Sequence, residues 1–212
     1  MTKIAILGSG RVATTLASKL SAAGHGVAIG TRDPSGTADK WQGPSIAIAT
    51  PAEVVAAAEV IVNATPGDTS VERLGEMRDM LAGKILIDIA NATVRGESDM
   101  PGGLLYPETS LAEELQKALP DTKVVKTLNT MLFTVMADPG SLRSPATAFL
   151  SGNHTDAKER VCELLVDLGW QADQIEDLGG IASARAVEPF ILLVPTILKK
   201  YGFAPFALSL AR

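Results

Sequence analysis

The chain has 212 residues, 46% of them hydrophobic, which suits one large domain or a domain with a small appendage. A net charge of -5 without any Lys/Arg-rich block argues against nucleic-acid binding, and one cysteine excludes an internal disulfide and fits a reducing cytoplasm. The two histidines, His25 and His154, lie far apart with no cysteine or carboxylate at ligand spacing, so no metal site is expected.

The chain opens on a short apolar run, Lys3 to Leu7, followed at once by Gly8-Ser9-Gly10-Arg11-Val12-Ala13. A helical stretch from Ala13 to Ala23 comes next, then a second apolar run, Val27-Ala28-Ile29, ending in Gly30-Thr31-Arg32. Strand, glycine turn, helix and strand in that order form the context of a dinucleotide-binding fingerprint. Gly8 permits a tight turn, Gly10 lets the backbone approach a pyrophosphate, and Ala13 keeps the third position small for helix–sheet packing. Ser9 lies between the glycines. Arg11 and Val12 open the helix, whose free N–H groups and positive dipole end would face the phosphates. An NAD-preferring site carries an acidic side chain at the end of the second strand. Thr31 and Arg32 stand there instead, and a hydroxyl beside a guanidinium suits a 2′-phosphate and an adenine face. The reading is NADP(H) rather than NAD(H).

Ser35 to Gly43 reads as a loop with a short helix, and Ile46 to Ile48 as a brief strand. Thr50-Pro51-Ala52-Glu53 is a capping box with proline at the first helical position, opening a helix through Ala58. Val60 to Thr65 is a strand stopped by Pro66-Gly67. Thr69 to Leu81 is helical, and Lys84 to Asn91 is a nearly all-apolar strand, as burial on both faces requires. Arg95 to Gly103 reads as a polar loop. Ser110 to Glu113 is a second capping box, opening a helix through Leu119. Then come a strand over Lys123 to Leu128, a short helix over Met131 to Ala137 and a strand over Ala146 to Ser151. An amphipathic helix over Asp156 to Leu168 holds Cys162, read as a small buried hydrophobe, and Gln171 to Ile175 is a short strand. Ile181 to Tyr201 reads as a long apolar helix, bent or interrupted at Pro189 and Pro195. Its apolar surface predicts burial in a symmetric homodimer. Arg185 and Glu188, three apart on it, could pair on one face, and a solvated or interface ion pair is expected there over a catalytic role. No signal peptide is visible, because the first apolar run breaks at Gly8, and the run Phe190 to Leu198 is too short to span a bilayer, so no membrane partner is expected.

The alternation of strands and helices implies an α/β fold of Rossmann type: a doubly wound, mostly parallel sheet with a small C-terminal helical region. Pro139-Gly140 and Pro145 mark a boundary between an NADP(H)-binding domain over 1–140 and a small α/β extension over 141–212. Ligands of such sheets sit beyond the carboxyl ends of the strands. Thr65, Pro66, Ala90 and Asn91 are expected along the nicotinamide half of one crevice. Asn129 and Met131 are expected on its far side, facing the second substrate. Asn129 would anchor an electron-accepting ring or cap the following helix. Gly67 would leave room for that ring. No acid–base pair, Ser-His-Asp set or thiolate gathers here, and hydride transfer does not need one, because the cofactor carries the chemistry.

These residues resemble the coenzyme F-420-dependent NADP oxidoreductases, which pass hydride between NADP(H) and a deazaflavin. The resemblance runs through Gly8 to Ala13, Ala23 to Arg32, Lys84 to Asp88, Lys123 to Thr130, Leu150-Ser151-Gly152 and Gly179 to Arg185 with Glu188. The pattern is also similar to the cytoplasmic domain of the six-transmembrane metalloreductases, which send NADPH electrons to a flavin. The resemblance implies a pyrophosphate at the first turn, a 2′-phosphate at Thr31 and Arg32, and a C-terminal part that covers the crevice and contributes to a homodimer. It implies a cytoplasmic enzyme acting on a small-molecule ring acceptor, a deazaflavin first, with a flavin or another planar acceptor as the alternative. A non-enzymatic NADP(H)-sensing module is the alternative from another class. The chain departs from the deazaflavin enzymes where Asn129 replaces a histidine and Gly67 a tryptophan. Ala92 stands where the metalloreductase pattern has proline.

Overall fold

The structure is a computed structural model that describes residues 1–96 and 100–211. Its strands in chain order are β1 (Lys3–Leu7), β2 (Gly26–Gly30), β3 (Ala47–Ala49), β4 (Val60–Asn63) and β5 (Ile85–Asp88), then β6 (Thr93–Arg95) and β7 (Pro101–Leu104), then β8 (Lys123–Lys126), β9 (Ala148–Gly152) and β10 (Ile175–Asp177). Among the described residues, eight of them form one sheet in the order β3-β2-β1-β4-β5-β8-β9-β10. All neighbours are parallel except β8 and β9, so this is the doubly wound Rossmann order with an added edge. The segment after residue 140 therefore contributes β9 and β10 to the same sheet rather than standing apart from it.

The register brings the last residues of the parallel strands into one row. Leu7 pairs with Gly30 on one side and Asn63 on the other, Asn63 with Asp88, and Asp88 with Lys126. In-register residues of parallel strands point to the same face. Asn63, Asp88 and Lys126 therefore lie side by side at the carboxyl edge, about 4.8 Å between strands.

Helices cover both faces. On one face lie α1 (Arg11–Ala22), α7 (Phe133–Ala137) and α8 (Thr155–Asp167), over a core that includes Ile4, Ile6, Val62, Ile87, Leu16, Val161 and Trp170. On the other lie α3 (Pro51–Ala57), α4 (Ser70–Gly75), α5 (Arg78–Leu81) and α6 (Leu111–Ala118), over Leu7, Ile61, Leu86, Val124, Leu81 and Leu115. The capping box closes at both ends: Glu53 N donates to Thr50 Oγ1 and Thr50 N to Glu53 Oε2. At the other end of α3, Lys84 Nζ donates to the carbonyls of Val55 and Ala58, satisfying C-terminal groups the helix leaves unpaired.

Four sequence expectations are corrected. Thr69 to Leu81 is a 3-10 turn followed by α4 and α5, broken around Met77 just after Gly75, whose backbone freedom disfavours helix. The ends of the expected Arg95 to Gly103 loop belong to the antiparallel pair β6–β7, while 97–99 fall outside the described residues. Gln171 to Gln174 is a 3-10 turn held by Gln171 N donating to Gln174 Oε1, and the strand starts only at Ile175. The single helix Ile181 to Tyr201 is two 3-10 stretches followed by α9 (Val194–Tyr201), because Pro189 and Pro195 each remove an amide donor. By length and composition this 21-residue stretch, with mean hydropathy 1.6, is apolar enough to cross a membrane. Here Ile181, Ala184, Val187 and Glu188 are buried against the domain.

Trp170 joins the two ends of one face. Its ring is 1% exposed and its Nε1 donates to the Met136 carbonyl at the end of α7. Trp170→Ala should lower stability by about 3–5 kcal/mol, as deletion of a buried aromatic does, measured by urea unfolding. A loss under about 1 kcal/mol would mean that the site collapses without cost.

Candidate active site

The chain leaves β1 toward α1 and leaves β4 toward α4 on the opposite face, so a crevice opens between the two exits. Gly8 turns the chain at φ 114°, donates its N–H to the Gly30 carbonyl, and would bring a Cβ within 2.6 Å of the Ala64 oxygen. Only glycine fits there, on grounds internal to the fold. Gly10 differs. Its φ is an ordinary -81°, and among the described residues a Cβ would meet no atom within 4 Å. The space beside it is open, and no side chain caps the start of α1, so the N-terminal amides remain available to an anion.

A cavity of about 1060 Å³ runs along this edge. It gathers seven of the expected residues: Gly8, Ser9, Gly10, Thr31, Arg32, Thr65 and Pro66. Thr31 is held from several sides: its hydroxyl donates to Ser9 Oγ and accepts from Thr37 Oγ1 and from the Asp33 amide. The acid beside Arg32 is turned away from a ribose role, because Asp33 caps α2 (Pro34–Lys40) by accepting from Gly36 N. Lys40, Trp41 and Arg73 also line the cavity and were not singled out from the sequence. Nothing in their local pattern marks them, since long-range packing brings them there.

The remaining expected residues lie elsewhere. Val12 packs against the core, and the Arg11 guanidinium stands over the rings of Phe133 and Phe203, 5.2 and 5.3 Å from their centroids. Ala90, Asn91, Asn129 and Met131 are absent from the cavity wall. Asn91 and Asn129 clasp each other: Asn129 Nδ2 donates to Asn91 Oδ1, and Asn91 Nδ2 donates to the Asn129 carbonyl. Asn129 is 4% exposed and does not cap α7, whose N-cap is Leu132. Its Oδ1 is buried without a partner. The preceding Leu128 sits at φ 58°, a left-handed conformation unusual for a branched side chain and a mark of local strain beside the crevice. Gly67 leaves no room for a ring. A Cβ there would lie 2.3 Å from the Asn91 oxygen, so the glycine admits the neighbouring backbone instead.

Beneath these loops runs a buried polar chain that the sequence reading missed. Thr65 donates from N and Oγ1 to Asn63 Oδ1, and Asn63 Nδ2 donates to Ser70 Oγ and to Asp88 Oδ1 at 2.8 Å. Asp88 Oδ2 accepts from Lys126 Nζ at 2.8 Å, and the same ammonium bonds the Ala90 carbonyl and Glu188 Oε1, the latter at 3.0 Å. Glu188 in turn accepts from the amides of Leu111 and Ala112 at the start of α6. The expected Arg185–Glu188 pair does not form. The 3-10 winding turns Glu188 inward to Lys126, and Arg185 pairs with Glu113 on the surface. Burial works against the Lys126 ammonium, but the attraction of Asp88 and Glu188 and their hydrogen bonds outweigh it and hold its pKa above the ordinary lysine range. The one sequence signal was the presence of Asp88 and Lys126 in otherwise apolar strands. Burial also pushes the Cys162 thiol up, away from a thiolate nucleophile.

Residues 3–92 match the family model described as NADP oxidoreductase, coenzyme F-420-dependent. A crystal structure from Arthrobacter sp. FB24, assigned as an F-420-dependent NADP reductase, is 40% identical, covers 100% of both chains and superposes with a TM-score of 0.92. The chain belongs to the coenzyme F-420-dependent NADP oxidoreductase family. Within and around this family, the F-420-dependent NADP reductase of Methanothermobacter marburgensis is 29% identical over 88% of each chain. Metalloreductase STEAP3 of Rattus norvegicus is 35% identical over 92% of this chain, which spans only 39% of that protein's length.

Removing one member of a buried ion cluster strands the others. Lys126→Met should cost about 3–5 kcal/mol in urea unfolding. The combination Lys126→Met, Asp88→Asn and Glu188→Gln should recover most of that loss, because no buried charge is left unpaired. A triple variant as unstable as the single one would assign the loss to packing instead.

Proposed function

We propose that this chain binds NADP(H) along the carboxyl edge of its sheet and passes hydride between the nicotinamide and a deazaflavin of the F-420 type. The observation that carries the reading is the pair of glycines. The fold itself requires Gly8, whereas nothing among the described residues requires Gly10, where open space meets uncapped helix amides. A pyrophosphate fits that combination. Thr31 and Arg32 would hold the 2′-phosphate at one end of the cavity, with Lys40 close by on the same wall. Thr65 and Pro66 would border the nicotinamide half. NADPH, when bound, supplies the hydride. The protein holds the nucleotide extended and excludes water.

The family and the reductases similar to this chain support an F-420-type acceptor. The metalloreductase likeness, with asparagine at 129, supports a flavin as the second reading. Exposed Leu192, Leu193, Tyr201 and Phe203 on the C-terminal segment support a homodimer built on that face. A cytoplasmic location remains part of the proposal.

Three measurements test the reading. NADPH should lose absorbance with one member of a panel of deazaflavin, FMN, FAD and ferric chelates. Tight binding without turnover on any of them would instead support an NADP(H) sensor. Arg32→Ala should weaken NADPH binding about ten- to a hundredfold, the worth of one or two charge-assisted hydrogen bonds, and leave NADH binding unchanged. Equal losses for both nucleotides would remove Arg32 from the 2′-phosphate. Gly10→Val should abolish nucleotide binding with the fold intact by circular dichroism, since its side chain would enter open space. Normal NADPH binding by that variant would defeat the reading.

A further inference from the structure

The Lys126–Asp88–Glu188 cluster touches neither the cavity nor, on the reading above, the nucleotide directly. It is nonetheless connected to the crevice loops that follow β4, β5 and β8. The three strand ends are fixed by register: Asn63, Asp88 and Lys126 form one row, and Lys126 Nζ reaches past it to the Ala90 carbonyl. Through Asn63 the cluster sets the Thr65 amide and hydroxyl after β4. Through Asp88 Oδ1, which accepts from Ala90 N at 3.3 Å, and through Lys126 it holds both the N–H and the C=O of Ala90 after β5. Asn91, the next residue, carries the clasp to Asn129 after β8. On the far side Glu188 ties the same ammonium to the α6 N-terminus and the C-terminal segment.

We propose that Lys126 is a positioning residue for the nicotinamide half of the site: its buried ammonium, held by Asp88 and Glu188, sets the loops bearing Thr65, Asn91 and Asn129 and couples them to the C-terminal segment. The inference rests on the NADP(H) reading and deepens it. A cluster that only stabilised the fold would need neither its bonds to the Ala90 backbone nor its link through Asn63 to Thr65. Buried ions of this kind are weak stabilisers compared with apolar replacements, so their worth here lies in the geometry they impose. The adenosine half of the cavity, at Thr31, Arg32 and Lys40, has no hydrogen bond to the cluster. The effect must therefore be confined to one half of the nucleotide.

That asymmetry is the test. Adenosine 2′,5′-bisphosphate occupies only the half the cluster does not reach, and NADPH occupies both. Calorimetry with each, on the wild type and on the triple variant Lys126→Met, Asp88→Asn, Glu188→Gln, separates the halves. In the variant, adenosine 2′,5′-bisphosphate affinity should stay within about twofold and NADPH affinity should fall about tenfold or more, as expected for a displaced set of contacts. The fluorescence of the bound nicotinamide should revert toward that of free NADPH. The near-isosteric Asp88→Asn variant should show the same split in weaker form, and it decides the matter if the triple variant does not fold. Wild-type affinity and fluorescence in the folded variant would overturn the proposal, and so would equal losses for both ligands. A wild-type protein that binds neither ligand would overturn the nucleotide reading and this inference with it.

Discussion

One buried ammonium organises the carboxyl edge of this sheet. Lys126 has no exposed surface, and it is tolerated there only because two carboxylates and a carbonyl surround it. The partners come from two places in the chain: Asp88 and Ala90 around the end of β5, and Glu188 from the C-terminal segment. Parallel register delivers the first pair with no special device, since Asp88 and Lys126 are paired residues of neighbouring strands. Glu188 must be brought in. The 3-10 winding before Pro189 and the amides of α6 do that, and they anchor an otherwise apolar and half-exposed segment to the domain.

The crevice inherits its shape from that constraint. On the β1 side, sterics dominate: Gly8 is squeezed between Gly30 and Ala64, and Gly10 is left facing open space. On the β4, β5 and β8 side, hydrogen bonding dominates, from Thr65 through Asn63 and Asp88 to the Ala90 loop and on to Asn129. One side is suited to a phosphate, where backbone must come close. The other is suited to a ring that needs a few fixed polar contacts. Membership of the coenzyme F-420-dependent NADP oxidoreductase family agrees with this division.

Much of the fold was legible in the sequence because its signals are local. The strand–turn–helix opening, the Thr50 capping box and the alternation of strands with helices all depend on residues within one or two turns of each other. Errors fell where local pattern underdetermines backbone: Pro189 and Pro195 mark a bend or interruption in the sequence, but nothing local marks the 3-10 winding around them, and Gly75 gives no sign of the helix break that follows it. Half of the candidate site's cavity wall was legible for the same reason, since Gly8, Ser9, Gly10, Thr31 and Arg32 sit on consecutive elements. The other half was not. Lys126, Asp88 and Glu188 are distant in sequence and gain meaning only from register and from a turn that reverses the expected direction of Glu188. Gly67 misled because an absent side chain can admit either a ligand or backbone, and here it admits Asn91.

The most direct test is amide chemical-shift mapping during titration with NADP⁺. The account predicts perturbations at Gly10, Thr31, Thr65 and Asn91, marking a nucleotide stretched from the end of β2 to the loops after β4 and β5. Shifts confined to the separate cavity of about 620 Å³ lined by Arg143, Tyr201 and Phe206, or no shifts at all, would contradict it.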